Sequence, residues 1–359
     1  MASGGPHPDI ASMVERLEAA RSRGAKWIVS RIGDDGQPVG ADRVNTYYRV
    51  PWALQITGHV APAAAAMAWI ERHALTSEGD LRPGAAQKNW SYPAEWTNGS
   101  ASYPLSNLAY GAWLLERYDT AGAIMQTLAS DFQDPASGGG YIERPECRST
   151  GRQDILCTAQ IGLTALLTGR REMAEAAFGW FERLWALQPK LPNRLYLSTI
   201  GPDLAVDPPK GKEFGYWLDI DKPRQAFFNP GLGAAFMGRY AMATGSTSAV
   251  EIGRGLLDVA RRAHESKYDY NDTVHVGKFA WGAGVMMDVE PDESHLADAM
   301  RLGQWFLDCQ LEDGRWNPTK FLVPEPGDTD ALWKTGEHIL LMTILDMALA
   351  AWPRGTFGN

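Results

Sequence analysis

The feature that most constrains this chain is an alternation between two kinds of helical segment along its 359 residues. One kind is amphipathic and charged on one face: Ile10 to Ser30, Ala61 to Leu75, Thr120 to Phe132, Arg171 to Leu187, Ala249 to His264, and Glu293 to Cys309. The other is rich in small residues and apolar nearly all round: VNTYYRVPWALQITG, YPLSNLAYGAWLLERY, DILCTAQIGLTALLTG, FFNPGLGAAFMGRYAMATG, VGKFAWGAGVMMDV and ALWKTGEHILLMTILDMALAA. A helix apolar on one side faces water with the other, and a helix apolar on every side has to be enclosed. Outer and inner segments therefore alternate, six of each, in an all-α chain.

Gly58, Gly169, Gly245 and the stretch Asp288 to Asp292 sit in short links from an inner segment to the next outer one, where C-caps and turns belong. The links from outer to inner are longer and rich in Gly, Pro and aromatics. Such loops, gathered at one end of a helical scaffold, are where sites are built. No strand alternation is evident, and no linker divides the chain, so a single domain over residues 1–359 is expected. Residues 188–223, rich in Pro, Asp and Lys, read as a lid or crossover loop.

The outer segments end alike. The sixth closes WFLDCQLEDGRW, the first KWIVSRIGDDGQP, the second AWIERHALTSEGDL and the third LASDFQDPASGGGY. Gln133 and Gln310 recur, and the fourth segment keeps Trp180, Phe181 and Gln188 but loses the glycine. A period of roughly 50–60 residues is the mark of a repeat architecture in which each unit buries its face on its neighbours. The glutamine is suited to bond orphaned helix-end carbonyls or the next repeat's amides, and the glycine to supply a positive φ.

The stretch RLGQWFLDCQLEDGRW resembles the QW repeat of squalene and hopene cyclases, whose relatives include protein prenyltransferase β-subunits. Arg301, Trp305, Gln310, Gly314 and Trp316 match that motif, and Leu302 departs from its small residue. The resemblance implies an (α/α)6 toroid, with six inner and six outer helices and a cavity at one end. It does not carry the families' chemistry over. Asp219 to Asp221 in WLDID lacks the final acidic pair of the protonating DxDD, no DDxxD is present, and Asp154 and Cys157 have the wrong spacing for the prenyltransferase zinc ligands. A weaker resemblance is to linalool dehydratase/isomerase, a cofactor-free (α/α)6 barrel. Cys147 and Cys157, and Tyr47 and Tyr48, are placed as that family's active-site Cys and Tyr are.

Composition narrows the classes. Net charge is −9 with a pI of about 5.3, so no basic stripe exists to neutralise phosphates, and nucleic acid is not an expected partner. Cys147, Cys157 and Cys309 form no CxxC, which argues against a disulfide framework and a structural zinc site. No metal and no organic cofactor are expected. The N-terminal residues lack a signal-like apolar run and no stretch is long and apolar enough for a membrane span, so a cytoplasmic protein is expected. Fourteen Trp supply material for large apolar cavity walls. Homo-oligomerisation is left open.

Starts of inner segments and the loops before them should share one mouth. The candidate catalytic residues there are Tyr48, Cys147, Asp154, Cys157, His275, Glu337 and His338. The candidate substrate-binding residues are Tyr47, Arg49, Trp52, Trp90, Trp96, Tyr103, Tyr216, Phe227, Asn229, Lys278 and Trp281. Acids, thiols, imidazoles and a lysine entering one aromatic-lined space suit proton transfer. The leading expectation is a cofactor-independent lyase or isomerase on a hydrophobic, terpenoid-like molecule, with Asp154 or Glu337 as the acid and aromatic walls sheltering developing positive charge. The alternatives are a carbohydrate epimerase, hydrolase or lyase on the same scaffold, and a non-catalytic scaffold for an apolar ligand or partner.

Overall fold

The computed structural model describes residues 8–41, 44–82, 101–210 and 213–352. Within them lie twelve helices of seven residues or more: α1 (Pro8–Val29), α2 (Val50–Ile56), α3 (Val60–His73), α4 (Ser102–Leu114), α5 (Tyr118–Thr127), α6 (Ile155–Leu167), α7 (Arg171–Ala186), α8 (Phe228–Thr244), α9 (Thr247–Arg262), α10 (Gly277–Val289), α11 (Glu293–Cys309) and α12 (Asp328–Ala351). Odd-numbered helices are the amphipathic ones. In α9, Ser246 caps the first turn through Ala249 N, Arg261 and Arg262 close the last, and Ala249, Ile252, Leu256 and Val259 form the buried stripe. Even-numbered helices are buried on nearly every side, as α10 is from Gly277 to Met287.

The inner helices form a closed ring. α2 contacts α4, α4 contacts α6, α6 contacts α8, α8 contacts α10, α10 contacts α12, and α12 returns to α2. Each outer helix packs on the inner helix that precedes it, α3 on α2 through to α11 on α10, and α1 packs on α12. The short links thus make antiparallel hairpins, as at Gly245, whose φ of 74° ends α8. Small residues let the inner backbones approach: a Cβ on Gly231 would lie 2.3 Å from the Lys278 carbonyl oxygen.

The recurring glycine turns hold neighbouring repeats together. Gly36, Gly79, Gly138 and Gly314 all have positive φ, and a Cβ on each would meet backbone atoms at Ala65, Ala123, Ala176 and Arg23 of the next outer helix. Glycine is required twice over, by conformation and by contact. The glutamines bridge the same junctions. Gln133 Nε2 donates to Gly138 O and to Met173 O of α7, at 3.0 and 2.9 Å. Gln310 Nε2 donates to Gly314 O and to Ala20 O of α1, both at 2.8 Å. Its partners in the next repeat are carbonyls rather than amides. Gln188 behaves differently, bonding Leu184 O of its own helix end and both backbone atoms of Tyr196.

Local structure departs from the periodicity in three places. The first inner segment breaks into a turn, Val44–Tyr47, and then α2, because Pro51 has no N–H to continue a helix but fits its first turn. The third outer segment finishes as a π turn, Leu128–Phe132. Five short strands form although none was expected: β1 (Arg152–Asp154), β2 (Arg194–Tyr196), β3 (Ser198–Ile200), β4 (Asp203–Leu204) and β5 (Trp217–Asp219). Strands of two or three residues are too short to alternate visibly and exist by pairing. Four of them lie in the described part of 188–223, in antiparallel sheets ordered β1-β3-β4 and β2-β5, and β3 holds the start of α6 through Asp154 opposite Ser198. Among the described residues no helix is long and apolar enough to cross a membrane.

Candidate functional site

Side chains from four inner-helix starts, those of α2, α4, α10 and α12, converge around one carboxylate, Glu337 on α12. The break before α2 frees Arg49 to reach inward, and its Nη2 lies 2.9 Å from Glu337 Oε1. Lys334, one turn earlier on α12, places Nζ 2.7 Å from Oε2, and Lys278 of α10 places Nζ 3.8 Å from Oε1. Every one of these four residues is at most 5% exposed. Burial alone would push the Glu337 carboxyl upward, but Arg49 and Lys334 outweigh it and hold the group well below the usual carboxylate range. Burial pushes Lys334 down to about 8.

Tyr103 on α4 shares these cations. Its hydroxyl accepts from Arg49 Nη2 at 3.0 Å, and Lys278 Nζ sits 4.4 Å from the ring centroid. Burial opposes the phenolate, yet Arg49 and Lys278 outweigh it, so the group ionises below the ordinary tyrosine value. Tyr48 is edge-on to it at 6.1 Å, and burial pushes its own hydroxyl well up. One turn further along α2 and α10, Trp52 and Trp281 meet at 5.8 Å, and Trp52 stacks on Tyr110 at 3.9 Å, forming an aromatic floor.

His275 precedes α10 with φ of 75°, a conformation uncommon for a residue other than glycine and one that recurs at functional sites. Its Nε2 is 3.2 Å from His338 Nε2 and 3.5 Å from Glu337 Oε2. Burial drives both imidazoles well below their usual range, so they add hydrogen bonding and no charge at neutral pH. Trp305, Phe306 and Trp316 box in His338. The tryptophan of the last helix-end repeat thereby touches the site.

Asp154 caps α6, its Oδ1 accepting from Cys157 N at 2.8 Å, and burial raises its pKa. Burial and Asp154 push the Cys157 thiol well up, which makes it a poor base or nucleophile at neutral pH. Glu337 as proton donor is also corrected: a carboxylate pinned by two cations holds no proton to give.

The structure thus brings Tyr48, Arg49, Tyr103, His275, Lys278, Glu337 and His338 together over Trp52 and Trp281. Tyr47 instead points to Trp69 of outer helix α3, 6.0 Å between rings. Tyr216 lies under the Arg152 guanidinium, Phe227 joins the core, and Asn229 Nδ2 bonds Ala226 O. Cys147 belongs to the short turn Pro145–Cys147, and Trp90 and Trp96 lie outside the described residues. Gln160 was missed, and Lys334, placed by its position at the start of the sixth inner segment, was given no catalytic or binding role. The signal for each was a polar residue inside an otherwise apolar helix, with Lys334 three before Glu337 and Gln160 six after Asp154. Among the described residues no three His, Cys, Asp or Glu side chains group as metal ligands.

No family model matches the chain, and no curated protein matches it in sequence. Solved structures do match its fold over nearly the whole length. The cellobiose 2-epimerase from Spirochaeta thermophila is 12% identical with a TM-score of 0.63, covering 95% of this chain and 98% of that one. The GH76A α-1,6-mannanase from Salegentibacter is 9% identical at 0.61, covering 92% and 99%. A type II terpene cyclase from Scytonema is 14% identical at 0.55, covering 95% and 99%. The chain is an (α/α)6 toroid.

Proposed function

We propose that this toroid is an acid–base enzyme of the isomerase or lyase class, in which Tyr103 moves a proton to and from a carbon beside a carbonyl or carboxyl group. The observation that carries the reading is the placement of the Tyr103 hydroxyl against Arg49 and beside Lys278 in a buried site, which favours its phenolate. A base whose pKa is drawn down toward its working pH serves proton transfer better than an ordinary tyrosine. Removing a proton from carbon leaves negative charge on the adjacent oxygen, and Lys278 and Arg49 are fixed where they offset it. Glu337, itself held by Lys334, holds Arg49 in place, and Trp52 and Trp281 take the body of the substrate.

The same cations argue against a carbocation here. Two like charges ~5 Å apart repel by about 3 kcal/mol at an effective dielectric of 20. A cation–π contact returns only ~1–2 kcal/mol. A terpenoid skeleton remains compatible with the aromatic floor, provided its reaction runs through an oxyanion. The epimerase among the solved structures of this fold supports the isomerase branch.

The test is incubation in D2O with reducing sugars, terpenoid aldehydes and terpenoid alcohols, read by mass spectrometry. Deuterium incorporation at one carbon, with an isomer or loss of water, is expected for a carbonyl compound and not for the alcohols. Turnover of an alcohol with no carbon-bound exchange would replace this reading with cation chemistry.

A further inference from the structure

Charge in the ring is unbalanced among the described residues. Arg49, Lys278 and Lys334 carry three positive charges onto the single carboxylate of Glu337, the two histidines are neutral, and ionising Tyr103 as the base still leaves one positive charge unmatched. Asp154 lies within electrostatic reach of Lys278, but it is engaged as the cap of α6. A buried cation without a counter-charge costs several kcal/mol. The imbalance coincides with unmet hydrogen bonding. Arg49 is 4% exposed, Nη2 serves both Glu337 and Tyr103, and Nη1 has no partner. Gln160 is fully buried with neither amide atom bonded. On α6 it shares a helical face with Leu156 and Leu163. Thr164, one turn on from Gln160 along the same side, bonds Ser106 O of α4, while Gly162 meets α8 and Thr158 meets the turn at Gly140. The side of α6 that carries Gln160, Leu156 and Leu163 is thus turned away from α8 and from the turn at Gly140.

We infer that the substrate of this site carries a negatively charged oxygen group, a carboxylate or a phosphate, which is held by Arg49 Nη1 and Lys278 Nζ. The anion supplies the missing counter-charge, and Gln160 is available for a neighbouring hydroxyl or carbonyl oxygen. The inference rests on the ring mouth being the place of reaction, and it narrows the substrates proposed above to anionic ones.

Binding, read without turnover, keeps the two claims separable. The full chain is titrated calorimetrically with matched pairs, geranate against geraniol and glucuronate against glucose, with glucose 6-phosphate as the phosphate arm. At least one anionic probe is expected to bind about tenfold or more tighter than its neutral partner, as a hydrogen bond to a charged group provides. Lys278→Gln should erase that preference and Lys278→Arg should retain most of it. A preference for geranate and glucuronate over the phosphate identifies a carboxylate, and the reverse a phosphate. Equal binding of charged and neutral partners, or anion binding indifferent to Lys278→Gln, overturns the inference while leaving deuterium exchange to judge the reaction.

Discussion

Gln310 Nε2 donates to the carbonyl of Ala20 at 2.8 Å, a bond between residues 290 apart in sequence. It joins the end of the last outer helix to the first, and α1 packs on α12 beside it, so the two ends of the helical series close the ring.

The glycine turns should separate strain from contact. Gly138 has φ of 77° and its added Cβ would sit 2.1 Å from Ala176 O, whereas Gly58 has φ of 81° with nothing within 4 Å. Gly58→Ala is expected to lose about 1 kcal/mol from conformation alone. Gly138→Ala should lose about 3 kcal/mol or more, since α7 must also shift. Urea denaturation of the pair measures both, and equal losses would mean that the turn does not grip its neighbour.

Tyr103→Phe removes the hydroxyl while keeping the ring against Tyr48 and Lys278. Exchange with solvent deuterium should fall by about 10²–10⁴-fold, the usual contribution of a positioned base. Substrate KM should change little, and the wild type's rate should rise with pH as Tyr103 ionises. A pH–rate profile unchanged by the substitution would assign the base elsewhere.

Acid should expose the Glu337 pairing. Its folded pKa lies well below 4.5, so the unfolded chain binds more protons in that range. The pairing therefore stabilises fully above about 4.5 and is lost as pH falls through the folded value. Glu337→Gln should be destabilised by about 3–5 kcal/mol at pH 7, because it leaves Arg49 and Lys334 unpaired. That gap to wild type should narrow on acidification. A gap constant from pH 7 to 3 would show that the carboxylate is not ion-paired.

Lys334 gives the opposite limb. Its folded pKa of about 8 is below the unfolded 10.5, so between those values the unfolded chain binds the extra proton and stability rises with pH. Relative to Lys334→Met, the wild type should gain on the order of 3 kcal/mol across that window. Chemical denaturation at pH 7.5 and 10 reads the difference, and a falling wild-type curve relative to Lys334→Met would refute it.

Cys157 and Cys309 are buried, with Cys309 pushed up to about 12 and Cys157 raised well above its ordinary value. Native protein at pH 8 should resist iodoacetamide at both positions for hours and label within minutes in urea. Peptide mass spectrometry reads this, and rapid native alkylation of Cys157 would restore it as a reactive thiol.

The sequence by itself determined which helices are enclosed and which face water, because apolar periodicity is a local property of a helix. It also determined the repeating turns, because a glycine at fixed distance from a helix end is visible in one dimension. It pointed to Arg49, Tyr103, His275, Lys278, Glu337 and His338 by their position at inner-segment starts. Only the tertiary structure decided their chemistry. Arg49 and Glu337 meet across the closure of the ring, and whether Glu337 donates a proton or anchors cations depends on the charges within a few ångströms. Tyr47 and Tyr48 differ by one position, yet one packs outward and the other meets Tyr103, since a break at Pro51 redirects the backbone. Charge state follows burial and neighbours, and those are set by helices distant in sequence.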